Sequence, residues 1–243
     1  MIVVIPARMA SSRLPGKPLA DICGTPMIVH VWRRAVAARV GTVLVATPDA
    51  EIVETVRKAG GNAVETGGDL TSGSDRVAAA LARVDTQKRF RTVINLQGDL
   101  PDISPEAIAR CLVPLTEPAV DIATLAAPIT DDDEKADPGV VKAVLETGGD
   151  SSIARARDFC RLLPPGHTGP QFHHIGIYAY RRTAVDMFTR LPRSARETER
   201  QLEQMRALDA GMRIDVALVD TVPIGVDTPA DLERARSIMD GTT

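Results

Sequence analysis

Ile2-Val-Val-Ile-Pro-Ala-Arg-Met-Ala-Ser-Ser-Arg-Leu-Pro-Gly-Lys-Pro18 is the stretch that decides the fold. Ile2 to Ile5 are four branched apolar residues with no polar interruption. Such a run reads as a strand buried on both faces, as in a parallel sheet between helix layers. It passes directly into a loop that holds Arg8, Arg13 and Lys17, the hydroxyls of Ser11 and Ser12, and one glycine, Gly16. Ligands of open parallel sheets gather beyond the carboxyl ends of the strands. Three cations placed there suit a triphosphate, because arginine offers a fork of donors and lysine a compact charge. Gly16 lets the backbone approach a phosphate closely. Two familiar phosphate loops do not fit. A Walker loop needs an upstream glycine and a Ser or Thr after Gly-Lys, whereas Pro18 follows Lys17; the three spaced glycines of a Rossmann loop are also absent.

Outward from this loop, helix-period segments alternate with short apolar runs. The pattern predicts helices over 26–38, 50–59 and 74–84 and strands over 42–46 and 92–96, with Gly60-Gly61 stopping the second helix. Ser104 reads as the N-cap of a helix running to about 115. Beyond it, 122–128, 140–145 and 175–180 read as strands without regular intervening helices, 131–135 as an acidic turn, 197–210 as one long helix closed by Gly211, 214–219 as a strand and 231–239 as a last helix. The expected fold is α/β, a three-layer, mainly parallel twisted sheet flanked by helices. It forms a single α/β nucleotide-binding domain over 1–243, with a smaller mixed β/α lobe inserted at approximately 125–215.

The chain has 243 residues, 44% hydrophobic and 25% charged, which fits one large domain or one domain with a sizeable insert. A net charge of -3 provides no general basic field for nucleic acid or an anionic membrane, so any anion site is local. Cys23, Cys111 and Cys160 are isolated and odd in number, which fits reduced thiols in a cytoplasm. The opening apolar run lacks a basic flank and is too short for a signal peptide. No apolar stretch approaches the roughly 20 residues that span a bilayer.

Five further places carry chemistry. Asp99 follows a buried strand, and Asp227 precedes Thr228-Pro-Ala-Asp231, where Thr228, Pro229 and Asp231 already supply the cap of a helix. From local sequence alone each carboxylate reads equally as a turn residue and as a metal ligand. Ser72-Gly-Ser-Asp-Arg76 opens a helix, whose free N–H groups can meet an anion or a carbonyl; plain capping by Ser74 is the alternative. His173 and His174 begin a strand and face opposite ways, so one of them can line a given pocket. Glu203 and Gln204 sit on the expected long helix.

Read together, Ile5-Pro-Ala-Arg-x-x-Ser-x-Arg-Leu-Pro-Gly-Lys-Pro-Leu19, Pro26-Met-Ile-Val-His30, Ser72-Gly-Ser-Asp-Arg76, Gln97-Gly-Asp99, His174-Ile-Gly-Ile-Tyr178, Leu202-Glu-Gln-Met-Arg206 and Gly225-Val-Asp-Thr-Pro229 resemble, in order, the bacterial 3-deoxy-manno-octulosonate cytidylyltransferases. The resemblance implies transfer of a cytidylyl group from CTP to an acidic eight-carbon sugar with release of pyrophosphate, for lipopolysaccharide synthesis. It implies Mg²⁺ held by Asp99 and Asp227, nucleotide contacts from Pro6, Ala7, Arg8, Ser12, Arg13, Lys17, Ser72, Gly73 and Arg76, and catalytic roles for Arg13 and Lys17. The sugar set it implies is Gln97, Arg155, His174, Tyr178, Glu203 and Gln204, with Arg155 meeting the sugar carboxylate. A homodimer formed through the inserted lobe completes it. The chain departs from the family pattern at Leu100, where a Glu is common, in the reduced stretch Ser151-Ser-Ile-Ala154, at His173 and at Arg200. All but the first concern the sugar half. The alternatives are a cytidylyltransferase for a sialic acid or a modified octulosonate, or a nucleotide-binding regulator without activity.

Overall fold

A computed structural model describes residues 1–70, 72–146, 152–163, 166–167 and 169–241. Ser151, in the shortened run before Arg155, lies outside them. The chain divides into two compact units, Met1–Ala109 with Pro223–Thr243, and Arg110–Val222. The second unit takes in more than the expected 125–215, because the 3-10 turn Val113–Thr116 and the strand after it belong to it. Among the described residues no helix is long and apolar enough to cross a membrane.

The first unit holds strands β1 Ile2–Pro6, β2 Asp21–Ile22, β3 Thr25–Pro26, β4 Thr42–Thr47, β5 Ala63–Glu65 and β6 Thr92–Leu96. β5, β4, β1 and β6 lie side by side in that order, and each neighbouring pair is parallel. Ile2 is in register with both Thr42 and Val93. All of β1 is buried rather than every second residue, as a strand covered on both faces requires. Each such side chain contributes about 1.5–3 kcal/mol of apolar burial. Helices α1 Met27–Ala37, α2 Ala50–Lys58 and α3 Gly73–Val84 make the crossovers between parallel strands. Helix α4, Pro105–Arg110, is capped by Ser104 Oγ, which accepts from Ala107 N–H at 3.0 Å. It ends well before 115, because Pro114 has no N–H to continue it. The C-terminal helix Pro229–Met239 begins with the expected capping box of Thr228 and Asp231.

The second unit holds β7 Ile122–Pro128, β8 Lys142–Leu145, β9 Ile153–Cys160, β10 Phe172–Arg181 and β11 Ile214–Leu218. Their order is β10-β7-β11-β9-β8, and β10 also pairs with β8, so the five strands close into a ring of mixed pairings. Only β7 and β11 run parallel. The closing seam is short, with β8 meeting β10 at Phe172 and His173. Helices α5 Asp132–Ala136, α6 Arg182–Phe188, α7 Ala195–Arg200 and α8 Met205–Asp209 complete the unit.

Three expectations change here. The acidic stretch 131–135 is helical, with Asp131 Oδ1 accepting from Asp133 N–H at 3.1 Å. Strand β9 was not anticipated, so Arg155 sits on a strand. The long helix over 197–210 is two short ones, broken at Gln201, which adopts a left-handed φ of 56°. The break lets Arg206 turn back on Glu197, donating from Nε and Nη2 at 2.8 and 2.7 Å. Both side chains are buried, and a buried charge needs such a partner.

Candidate active site

The loop after β1 is folded by its own backbone. Gly16 takes a left-handed φ of 71°, which costs glycine nothing, and opens the 3-10 turn Lys17–Leu19. Its N–H donates to Met9 O at 3.2 Å, and Lys17 N–H to Leu14 O at 3.1 Å. Asp49, beyond the end of β4, accepts from Met9 N–H at 2.8 Å and so pins the loop to the neighbouring strand. Leu14 and Ala20 pack on the buried cluster of Ile22, Met27, Val226, Leu232 and Ala235. One core thus holds both the loop and the segment that leads to Asp227.

A cleft of about 310 Å³ opens over these elements. Pro6, Ala7, Arg8, Ser12, Arg13, Lys17, Ser72, Gly73 and Arg76 all line it, together with Gln97, Asp99 and Asp227. Gly98 passes so close to β1 that a Cβ there would stand 3.0 Å from Pro6 O and 3.4 Å from Ile28 Cδ1. A side chain there would have to push the Pro6 carbonyl aside by a few tenths of an ångström.

The ionic centre is Lys17. Its Nζ lies 2.8 Å from Asp99 Oδ2 and 2.9 Å from Asp227 Oδ1, and Arg13 Nη2 lies 3.0 Å from Asp227 Oδ2. Burial disfavours the ammonium, but the charge and hydrogen bond of Asp99, then those of Asp227, outweigh it and raise the Lys17 pKa. Two carboxylates that reach one ammonium can reach one small cation. Mg²⁺ characteristically takes one or two carboxylates and leaves its remaining positions to phosphate oxygens and water. The pair suits that requirement, and among the described residues no group of three or more His, Cys, Asp or Glu gathers at one point.

Two neighbours behave differently from expectation. The cap of α3 is Ser72, whose Oγ accepts from Asp75 N–H at 3.1 Å, and not Ser74, which is buried. Arg76 lines the cleft, but its guanidinium is turned to the adjoining loop. It donates to Thr66 Oγ1 at 2.6 Å, Gly67 O at 3.0 Å and Leu70 O at 3.4 Å. Gln97, grouped with the sugar residues above, lines this same cleft and donates to Asn95 Oδ1 at 3.0 Å.

The other sugar residues lie in the second unit. His174 is buried on β10. The Thr124 hydroxyl donates to Ile177 O at 2.7 Å and stands 3.0 Å from His174 Nε2. Between Ile175 and Tyr178 the strand bulges by two residues against β7. An even bulge preserves the facing, so His174 and Tyr178 stay together with ring centroids 5.4 Å apart. Phe159 meets His174 edge-on at 4.9 Å, and Tyr180 follows Tyr178 at 5.9 Å. Burial, then the neighbouring His173, lowers the His174 pKa to about 3, so the ring is neutral at pH 7. Burial, then Tyr180 and Glu203, pushes the Tyr178 phenol well above its ordinary value. This wall is uncharged and hydrogen-bonding. Glu203 and the buried Gln204 occupy the turn between α7 and α8, with Glu203 Oε1 3.7 Å from Arg206 Nη2. Arg155 is exposed and lies 3.7 Å from Glu146 Oε1, which Arg157 contacts at 2.8 Å.

Sequence reasoning passed over Asp49 and Asp102. Both follow strands in the first unit, and an acid at the carboxyl end of a parallel strand was the available signal. Asp102 Oδ1 accepts from Ile224 N–H at 2.8 Å, while Val226 N–H donates to Asp99 O at 3.0 Å. Asp231 Oδ2 takes the N–H of Asp227 at 3.1 Å and of Thr228 at 2.8 Å, leaving the Asp227 carboxylate to the cleft.

A parallel α/β unit with an arginine- and lysine-bearing loop at its strand ends, facing a carboxylate pair across one cleft, is the layout of a nucleotide-handling transferase. A family model described as Cytidylyltransferase matches residues 2–214. The chain is 53% identical to a 3-deoxy-manno-octulosonate cytidylyltransferase of Paramagnetospirillum magneticum, over 98% of this chain and 97% of that one. It is 57% identical to the protein of that name from Parvibaculum lavamentivorans, over 98% and 92%. It therefore belongs to the cytidylyltransferase family, among the 3-deoxy-manno-octulosonate cytidylyltransferases. A solved CMP:2-keto-3-deoxy-manno-octonic acid synthetase complexed with CTP superposes with a TM-score of 0.90 at 40% identity, over 100% of this chain and 99% of that one. A 4-diphosphocytidyl-2C-methyl-D-erythritol synthase from Anaerococcus prevotii, at 12% identity and a TM-score of 0.65, shares the fold.

Proposed function

We infer that this chain transfers the cytidylyl group of CTP to 3-deoxy-manno-octulosonate, giving the CMP-sugar and pyrophosphate, and so supplies lipopolysaccharide synthesis. The observation that carries the reading is the meeting of Lys17 with Asp99 and Asp227 in a cleft lined by the β1 loop. The anomeric hydroxyl oxygen bonds to the α-phosphorus, the bond from that phosphorus to the α,β-bridging oxygen breaks, and the hydroxyl proton passes to solvent. No covalent enzyme intermediate is needed, since positioning and electrostatic stabilisation suffice for such a transfer.

Asp99 and Asp227 would hold Mg²⁺, the donor set being two carboxylates aimed at one point. Bound there, the ion supplies positive charge to the phosphate oxygens and lowers the pKa of the attacking hydroxyl. Arg13 and Lys17 then turn their donors to the triphosphate, with Arg8, Ser12, Ser72 and Gly73 around it and Arg76 bracing the 66–70 loop. Neutral His174 and Tyr178 recognise sugar hydroxyls by hydrogen bonding, with Glu203 near the Tyr178 phenol and Gln204 next to Glu203 in the chain. Arg155, exposed and shared only loosely with Glu146, is the cation offered to the sugar carboxylate. The homodimer rests on the family resemblance. The cytoplasmic location is supported by three free cysteines, one exposed, one half-buried and one buried.

Pyrophosphate release measured with CTP, Mg²⁺ and a panel of acidic sugars tests the reading. Release with 3-deoxy-manno-octulosonate above all others is the expected result. Release only with a sialic acid or a modified octulosonate would move the sugar assignment. Release with none would leave a nucleotide-binding regulator.

A further inference from the structure

We propose that Asp102 is a positioning residue for the carboxylate pair, pegging the turn after β6 to the segment that carries Asp227 so that both carboxylates reach one cation. The proposal rests on the reading that Asp99 and Asp227 hold that cation together. The two acids stand 227 − 99 = 128 residues apart in the sequence, and something must fix one against the other. Asp231 does not, because it ties Asp227 only to the start of its own helix. Two bonds do. Ile224 N–H donates to Asp102 Oδ1 at 2.8 Å across 122 residues of sequence. Val226 N–H donates to Asp99 O at 3.0 Å. They act at alternate residues of one segment, and Asp227 is the next residue in the chain.

Asp102 is itself held. Leu100 and Ile103, on either side of it, are buried, and Ile103 N–H donates to Leu100 O at 3.3 Å. The side chain therefore leaves a fixed turn. Burial raises its carboxyl pKa, partly offset by the Ile224 N–H. Loss of the side chain would leave that N–H without its acceptor and Val226–Asp99 as the one remaining bond of the two. A small shift of a ligand's support costs a metal site dearly; changes in groups that orient ligands typically cost about 10- to 100-fold in metal affinity or activity.

The test compares Asp102→Ala, Asp102→Asn and Asp102→Glu with Asp227→Asn in the full-length protein. Turnover is followed across a Mg²⁺ titration, and Mn²⁺ binding in the presence of CTP is read by electron paramagnetic resonance. Asp102→Ala is expected to raise the Mg²⁺ concentration for half-activation by about tenfold, to weaken Mn²⁺ binding alike, and to lower kcat with little change in KM for the sugar. Asp102→Asn keeps an oxygen for Ile224 N–H and should recover most of the loss, whereas Asp102→Glu keeps the charge but moves the acceptor and should not. If Asp102→Ala fails to fold, the contrast between Asn and Glu decides. Wild-type metal dependence in Asp102→Ala or Asp102→Glu, with only the melting temperature lowered, would overturn the proposal. Undiminished turnover in Asp227→Asn would remove the paired-carboxylate reading itself, and the proposal with it.

Discussion

The two units present opposite kinds of chemistry. In the first, charged side chains stand on loops at the ends of parallel strands and meet in an open cleft. In the second, a neutral histidine, a phenol and a threonine hydroxyl meet among the strands of the ring, and buried charges there are satisfied within the unit, Arg206 by Glu197 and Lys142 by the carbonyls of Asp137, Val140 and Arg161. Open strand ends suit a highly charged ligand that arrives with its own counter-ion. A buried neutral wall suits hydroxyl recognition, because an unsatisfied buried hydroxyl or imidazole costs about 1–3 kcal/mol and so enforces a match.

Changes to the charged cleft should therefore stop turnover, and changes to the neutral wall should alter selectivity. The largest effect is expected from Asp99→Asn and Asp227→Asn. Each keeps side-chain size and hydrogen bonding but removes the charge a hard cation requires, and each should nearly abolish turnover. The double mutant should be barely worse than either single one, because they disable one unit. Turnover across a Mg²⁺ titration, with folding checked by melting, decides; an unchanged Mg²⁺ dependence in either would remove that residue from the pair. Lys17→Ala comes next, with a loss of about 2–4 kcal/mol of transition-state stabilisation. Near-normal kcat at saturating CTP would take Lys17 out of the mechanism.

His174→Ala should raise KM for the sugar more than KM for CTP, which varying each substrate separately will reveal. The opposite split would exchange the roles of the two units. The smallest effect concerns acid stability. Folding lowers the His174 pKa from the ordinary 6.5 to about 3, so the folded chain refuses a proton that the unfolded chain accepts. The stabilisation is complete above pH 6.5 and is lost as pH falls from there toward 3. His174→Asn should lose less melting temperature between pH 7.5 and pH 5 than the parent does. Equal losses would show that His174 is not the group responsible.

Legibility in the sequence divides along the same line. Strand β1, its loop and the capping box at Thr228 are local patterns, and each formed where its residues indicated. Asp49 and Asp102 escaped because their partners, Met9 and Ile224, are 40 and 122 residues away. In the second unit the misreadings share a cause. The apolar pattern over 197–210 is helical, but the chain breaks at Gln201, where Arg206 turns back on Glu197 nine residues away, and that buried pairing overrides periodicity there. Strand β9, Ile-Ala-Arg-Ala-Arg-Asp-Phe-Cys, carries three charges and finds its place only by pairing with β8 and β11. The facing of His174 and Tyr178 survived because the bulge between them is even.

Lys17 and Arg13 bring two positive charges to the two negative charges of Asp99 and Asp227. On the proposed reading this corner of the cleft is electroneutral before a nucleotide arrives, and the net negative charge that a metal–triphosphate complex then brings is partly offset by Arg8 of the same loop. Binding is then a double displacement: the carboxylates exchange an ammonium and a guanidinium for a metal ion, and the freed cations take phosphate oxygens. The driving force of such an exchange is the difference between two sets of ion pairs, each of which has already met most of its desolvation cost. A site balanced before binding does not repel the incoming anion, and the negative charge in excess after binding favours the departure of pyrophosphate.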